Sequence, residues 1–378
     1  MKILHIITQG TWGGAQRYVE DLITHIPHQH SHTIAIGAHK ETQDLQSHLS
    51  SYISLTHLKR NISPIHDIIA IKELANIYKK IHPDIVHLNS SKAGILGSLA
   101  AHIIPKKHRP KIVYTAHGWV FNETLPPWKK NLYILAEKYS ATYKDAIITL
   151  SPQDTHTAKT VLHIPSKKIY QIPLGIENII FLPKKEAQQN LAIMPSKKII
   201  IGCIANHYKT KGLNTLIESY ATSTNLQKNT QLYLIGDGPE QQTINALIKK
   251  NKQEKNIILC GKKTHAAQLL KAFDLCVIPS HKEGLPYALL EILQAKIPVI
   301  ATKVGGIPSL ITHKKTGLLC EPQNNTSLKT ALEWAITHTQ DMTQYAKHAQ
   351  QVGMQYSLTT MIKKTTTLYK KLLNNNHS

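Results

Sequence analysis

Acidic residues, aromatics and cysteines are all scarce in this chain. Only 23 of its 378 residues are Asp or Glu, against 45 Lys and Arg, which leaves a net charge of +22 before any of the 23 His is protonated. So basic a surface favours an anionic partner: nucleic acid, an acidic membrane surface or a phosphorylated small molecule. A lysine-rich coding bias gives the same composition. Aromatics make up 6% of the chain, and no nucleic-acid-binding module interleaves them with the basic residues, so no nucleic acid is expected. The four cysteines, Cys203, Cys260, Cys276 and Cys320, are scattered, with no metal-ligand spacing and no disulfide framework. That fits a reducing cytoplasm. Long hydrophobic runs are also missing. "AGILGSLAAHIIP" is interrupted by His102 and too short to span a bilayer, and "MKILHIIT" reads as a first buried strand, not a signal peptide.

What is present is alternation. Short β-branched runs at 2–7, 32–37, 52–56, 84–88, 111–116, 145–150 and 168–172 are separated by amphipathic stretches at 14–26, 64–81, 91–103, 127–142 and 152–162. This is the pattern of parallel βα units. Around Pro173, Pro183 and Pro195 the period lapses, then resumes with "KKIIIGCIA", "TQLYLIGDG", "NIILCG", "FDLCVIPS", "KIPVIATK" and "TGLLCEP". The expected class is α/β, with two facing Rossmann-like domains and the active site in the cleft between them. The boundaries expected are 1–173 for the first domain, 174–195 for a linker and 196–355 for the second. A C-terminal helix in 356–378 would return to the first domain.

Several strand ends carry chemistry. Gly10, Gly13 and Gly14 of "ITQGTWGGAQRYVEDL" lie between the first strand and first helix, where backbone amides can approach a phosphate or simply turn. The spacing is not the dinucleotide fingerprint. His117 of "YTAHGW" ends a buried strand, and is either packed or able to donate to a sugar hydroxyl. Asn89, Ser90 and Ser91 follow another strand, with helix capping the first role expected. "IGCIANHYKTKG" sets Asn206, Lys209, Lys211 and Gly212 before a helix, where a lysine can neutralise a diphosphate. In "HKEGLPYALLE", Glu283 sits on a loop and Glu291 in the helix that begins around Leu285 to Ala288. The free amides of that helix suit a diphosphate. Glu291 could accept both hydroxyls of a ribose and Glu283 could grip sugar hydroxyls, so the two acids would bracket a sugar nucleotide.

Together "GTWGGAQRYVEDL", "HLNSSKAG", "YTAHGW", "IPLGIE", "KTKG", "GDGPE", "EGLPYALLE" and "VIATKVGGIP" resemble the retaining glycosyltransferases of the GT-B fold, specifically family four, over nearly the whole chain. "NSSKAG" with "TAHGW" is similar to the branch that builds bacterial surface polysaccharides. The resemblance implies a nucleotide-sugar donor, a UDP- or GDP-sugar, held mainly by the second domain, and a lipid-linked or oligosaccharide acceptor held mainly by the first. It assigns Lys211 to phosphate, Glu291 to ribose, Glu283 to the donor sugar, His117 to the reaction centre and Gly14 to the phosphate side. Gly13, Asn206, Lys209, Gly284 and Leu285 complete the expected donor-binding set. Many family members have Arg where this chain has Asn206 and Glu where it has Ser309. The leaving group would then lean on Lys211, with Lys209 assisting. Hexosyl transfer with retention, needing neither metal nor other cofactor, is the reaction implied. A sugar-nucleotide epimerase of the same architecture and a basic nucleic-acid binder are the alternatives. Peripheral association with the inner face of the cytoplasmic membrane is expected through "PKKHRPK", 105–111, and "PPWKKNLY", 126–133. The residues do not decide an oligomeric state.

Overall fold

A computed structural model describes residues 1–27, 29–37, 51–123 and 125–374. The end of the "HTIAIGAHK" run and the tail from 375 lie outside them. The chain divides into two compact units, Met1–Leu174 with Leu358–Ser378, and Gly175–Ser357.

Unit 1 runs β1 (Lys2–Ile7), α1 (Gly14–His25), β2 (Ser31–Gly37), β3 (Ile53–Leu55), α2 (Pro64–Ile81), β4 (Ile85–Leu88), α3 (Ser91–His102), β5 (Lys111–Ala116), α4 (Pro127–Ala141), β6 (Ala146–Thr149), α5 (Pro152–Thr160) and β7 (Ile169–Gln171). All seven strands pair in parallel in the order β3-β2-β1-β4-β5-β6-β7. A parallel sheet is covered on both faces, so its strands read as unbroken apolar runs; every residue of β4 and β6 is buried. On one face α3 packs between α2 and α4.

Unit 2 begins with an isolated bridge from Ile176 to Ser357 and with α6 (Lys184–Asn190), which buries Ala187 in the stretch expected as linker. It continues through β8 (Ile199–Ile204), α7 (Leu213–Ala221), α8 (Thr224–Asn229), β9 (Thr230–Ile235), α9 (Gln241–Lys250), β10 (Ile257–Leu259), β11 (Leu275–Ile278), α10 (Tyr287–Ala295), β12 (Val299–Thr302), β13 (Leu318–Cys320), α11 (Asn325–Thr337) and α12 (Thr339–Gly353). Its six parallel strands are ordered β10-β9-β8-β11-β12-β13. The last helix, α13 (Leu358–Asn374), packs on α1 in unit 1. Two parallel-sheet Rossmann-like domains are therefore present.

The strand orders locate the chemistry. In an open parallel sheet, ligands bind beyond the carboxyl ends of the strands where the order reverses. That point lies between β1 and β4 in unit 1 and between β8 and β11 in unit 2. The loops there are the glycine-rich 8–13 and the Asn89–Ser90 turn in unit 1, and 205–212 and 279–286 in unit 2.

Candidate active site

In unit 2 the two switch-point loops are joined side chain to side chain. Lys211 Nζ lies 2.7 Å from Glu283 Oε1, which also accepts a hydrogen bond from Ser280 Oγ at 2.7 Å. The lysine side chain is 29% exposed and the glutamate 10%, so the pair sits at the surface yet is held from within. Lys211 closes a 3-10 turn, Lys209–Lys211, whose left-handed exit is Gly212 at φ 66. A Cβ on Gly212 would come within 2.0 Å of the Pro279 carbonyl oxygen, so glycine is what lets the two loops touch. The contact is completed by His281 N–H donating to Thr210 O at 2.8 Å and by the Thr215 hydroxyl 3.1 Å from His281 Nε2.

The other flank of the glutamate loop is clamped by "VGGIP". Gly306 N–H donates to Gly284 O at 2.6 Å. Gly305, at φ 52, presses so close that a Cβ would lie 2.0 Å from the Glu283 carbonyl oxygen. Thr302, at the end of β12, donates to Ser280 O at 2.5 Å. Glu283 and Gly284 are thus fixed between three neighbouring strand ends. Gly284 and Leu285 are buried, and α10 starts at Tyr287 behind Pro286, within the range its sequence suggested. Glu291, in the middle of that apolar helix, is only 7% exposed. Lys209 is exposed, Asn206 is half-buried, and Ser309 donates to the Gly306 carbonyl within the turn. A separate cavity of about 840 Å³, lined by Lys197, Lys198, Asp274 and Pro298 among others, opens at the amino ends of the strands, remote from these motifs.

In unit 1, His117 follows β5. Its ring meets Tyr18 of α1 edge-on at 5.0 Å, and its Nε2 is buried without a hydrogen-bond partner among the described residues. Burial pulls its pKa down to about 3, so the imidazole is neutral near pH 7. Asn89, fully buried at the end of β4, bonds the His87 carbonyl through Nδ2 and leaves Oδ1 unpartnered among the described residues. Ser90 is the helix cap, accepting from Ala93 N–H at 3.4 Å. Gly13 precedes α1 in extended conformation, and Gly14 is its exposed first residue.

Behind these lies a buried polar row that sequence reasoning missed. His87 Nδ1 meets Tyr369 Oη of α13 at 2.5 Å and its Nε2 meets Thr115 Oγ1 at 2.7 Å, while Tyr18 Oη is 3.3 Å from the same threonine. On the next strand, His5 pairs with His32 at 3.0 Å. Burial lowers both His87, to about 3, and His5. The only sequence signal was a histidine inside each of two apolar strands. Among the described residues no group of three or more His, Cys, Asp or Glu is placed to hold a metal ion.

Comparison with known proteins decides the family. A family model described as Glycosyltransferase Family 4 matches residues 12–178, and one described as Glycosyl transferases group 1 matches residues 184–352. The chain is 30% identical over 272 residues to the N-acetyl-alpha-D-glucosaminyl L-malate synthase of Bacillus anthracis, covering 70% of this chain and 68% of that one. This chain belongs to glycosyltransferase family four. The glycosyltransferase is also 28% identical over 345 residues to the UDP-Gal:alpha-D-GlcNAc-diphosphoundecaprenol alpha-1,3-galactosyltransferase of Escherichia coli, covering 88% of this chain and 87% of the other. Among solved structures, Anabaena HepE in complex with UDP superposes with a TM-score of 0.80 at 20% identity, over 98% of this chain and 100% of that one, which establishes the GT-B fold.

Proposed function

We propose that this glycosyltransferase moves a hexosyl unit, with retention of anomeric configuration, from a nucleotide sugar to a lipid-linked or saccharide acceptor in surface-polysaccharide or glycolipid synthesis. The observation that carries the reading is the Lys211–Glu283–Ser280 cluster at the switch point of unit 2. A lysine at a strand-to-helix turn is suited to a diphosphate, and with helix amides it can carry the leaving charge without a metal ion. On donor binding the diphosphate takes over the lysine, and Glu283, still held by Ser280, is left to face the sugar. Glu291, eight residues on, is assigned to the ribose. From unit 1, His117 as a neutral imidazole is assigned to a sugar hydroxyl. Gly13, Gly14, Asn206, Lys209, Gly284 and Leu285 complete the proposed donor set.

The E. coli relative is named for UDP-Gal and a diphosphoundecaprenol acceptor, and the Anabaena structure contains UDP. UDP is therefore the first donor base to test, with GDP next, and a lipid carrier the first acceptor. Such an acceptor lies at a membrane, and a +22 protein is drawn to an anionic one, so we read the association as peripheral, at the inner face of the cytoplasmic membrane. No described helix is long and apolar enough to cross a bilayer.

Calorimetry with UDP and GDP, paired with turnover of the matching sugar donors, tests the assignment. Lys211→Ala should weaken nucleotide binding by about 10- to 100-fold, the equivalent of a charge-assisted contact of roughly 1.5–3 kcal/mol. Glu291→Gln should weaken nucleotide and donor alike. Glu283→Gln should lower turnover and leave nucleotide affinity nearly intact. Unchanged nucleotide affinity in Lys211→Ala sinks the phosphate role, and the reverse pattern for the two glutamates exchanges their assignments.

A further inference from the structure

Helix α4 is built inside out. Its large apolar residues Trp128, Leu132, Leu135 and Tyr139 are 64%, 44%, 63% and 59% exposed. Spaced i, i+4, i+7 and i+11, they fall within about 60° of arc at roughly 100° per residue, a single stripe along the outward face. The inward face carries the helix's one acid, beside Ile134 and Ala141 of the core, and its partner Lys144 follows the helix. Glu137 and Lys144 are both buried, and they pair at 3.0 Å. Tyr133, in the segment 126–133 expected at the membrane, turns inward and packs on the core, which leaves Trp128 as that segment's exposed aromatic. Glu137 is the only acid in α4, and Lys129 and Lys138 flank the stripe on either side.

The stripe continues past the end of the helix. Tyr139 stacks edge-on against Tyr143 at 5.4 Å with their hydroxyls 2.9 Å apart, and Tyr143 packs on His102 at 4.2 Å. Next to His102 is Ile103, 57% exposed, and then the basic turn Lys106–His108. Two short basic segments that are separate in sequence thus belong to one continuous surface: apolar and aromatic along its middle, lysine at its margins.

We propose that this surface of unit 1 seats the enzyme in the interfacial layer of an anionic bilayer, with the α4 stripe as the part that enters. Trp and Tyr favour the headgroup boundary, leucines partition below it and lysines remain with the anionic headgroups. A second copy is the poorer occupant because each face would bring its own lysines against the other's, in a protein of net charge +22. The inference rests on the membrane reading above and adds Leu135, Tyr139, Tyr143 and Ile103 to the two segments expected at the membrane.

Flotation with vesicles of phosphatidylcholine alone, and with added phosphatidylglycerol, at low salt tests it. The wild type should float with the anionic vesicles, and its tryptophan emission should shift to the blue, a shift lost in Trp128→Phe. Of the four tryptophans, Trp119 is buried and Trp12 and Trp334 are half-buried outside this surface, leaving Trp128 the exposed one. Leu132→Asp/Leu135→Asp should abolish flotation. Lys129→Ala/Lys138→Ala, which touches only surface charge, should weaken binding roughly 30-fold, about fivefold for each lysine. Thermal melts confirm that each variant is folded. If the wild type floats and both double variants float equally well, the surface is wrong while the membrane reading stands. If the wild type ignores anionic vesicles, both fall. A wild-type dimer that Leu132→Asp/Leu135→Asp dissociates, without vesicle binding, makes the stripe a contact between copies and overturns the proposal.

Discussion

Units 1 and 2 share a parallel-sheet plan but place their polar groups in opposite ways. Unit 1 hides titratable side chains inside: His5 and His87 have no exposure, and Glu137 and Lys144 lie beneath Tyr114, whose ring the ammonium covers at 4.1 Å. Unit 2 fills its core with Ile, Leu and Cys and keeps Lys211 and Glu283 of its proposed working groups on loops at strand ends, stapled by glycine turns, with Glu291 in the helix behind them. Buried polar groups make a structure sensitive to losing any one partner. Loops pinned at a few backbone contacts can lose a site without losing the fold. Unit 1 should therefore fail by unfolding and unit 2 by ceasing to bind.

Three perturbations test that contrast. The largest effect is expected from Lys144→Met, which strands the Glu137 carboxylate in the interior and should lower stability by about 3–5 kcal/mol. Hydrogen exchange in urea should show unit 1 opening first, and adding Glu137→Gln should restore most of the loss. A variant as stable as wild type would mean the pair contributes nothing.

Acid comes next. Each buried histidine has a folded pKa below its unfolded value, so the unfolded chain binds the proton more readily. Stability is then lost as pH falls from about 6.5 toward the folded value. At pH 5, His87, held at about 3, should withdraw roughly 2 kcal/mol, with His5 and His117 adding to it. In unit 2, buried His207 and partly buried His281 are shifted in the same direction, and His207 is held by Gln241 at its Nδ1. Amide exchange at pH 7 and pH 5 should therefore accelerate mainly in unit 1, and preferential opening of unit 2 would break the comparison.

The smallest effect on stability belongs to unit 2. Gly305→Ala places a side chain in left-handed backbone, at a cost of roughly 1–2 kcal/mol, and its Cβ must displace the Glu283 carbonyl from 2.0 Å. The expected result is a modest drop in melting temperature with a larger, at least tenfold, loss of UDP affinity. Equal affinity would show that the clamp does not shape the site.

The β-strands were legible because burial on both faces leaves apolar runs with no competing period, and the glycine-flanked Lys211 and Glu283 stood at strand ends where a parallel sheet must open. The inward face of α4 was not legible. Trp128, Leu132, Leu135 and Tyr139 have the spacing of a core stripe, and periodicity shows that residues share a face without showing which way it points. Nor could Ser280 be distinguished from any other loop serine. Its role depends on Glu283 being turned back toward it by the "VGGIP" clamp.

Local sequence determined the alternation of strands and helices, the glycine turns and the charge balance, because each depends on backbone preferences and burial within a few residues. Only tertiary structure could bring Tyr369 to His87, 282 residues away, join Lys211 to Glu283, 72 residues apart, and turn the apolar stripe of α4 to solvent. Those outcomes depend on which elements become neighbours, and strand order in a parallel sheet is decided by crossovers that no short stretch of chain encodes.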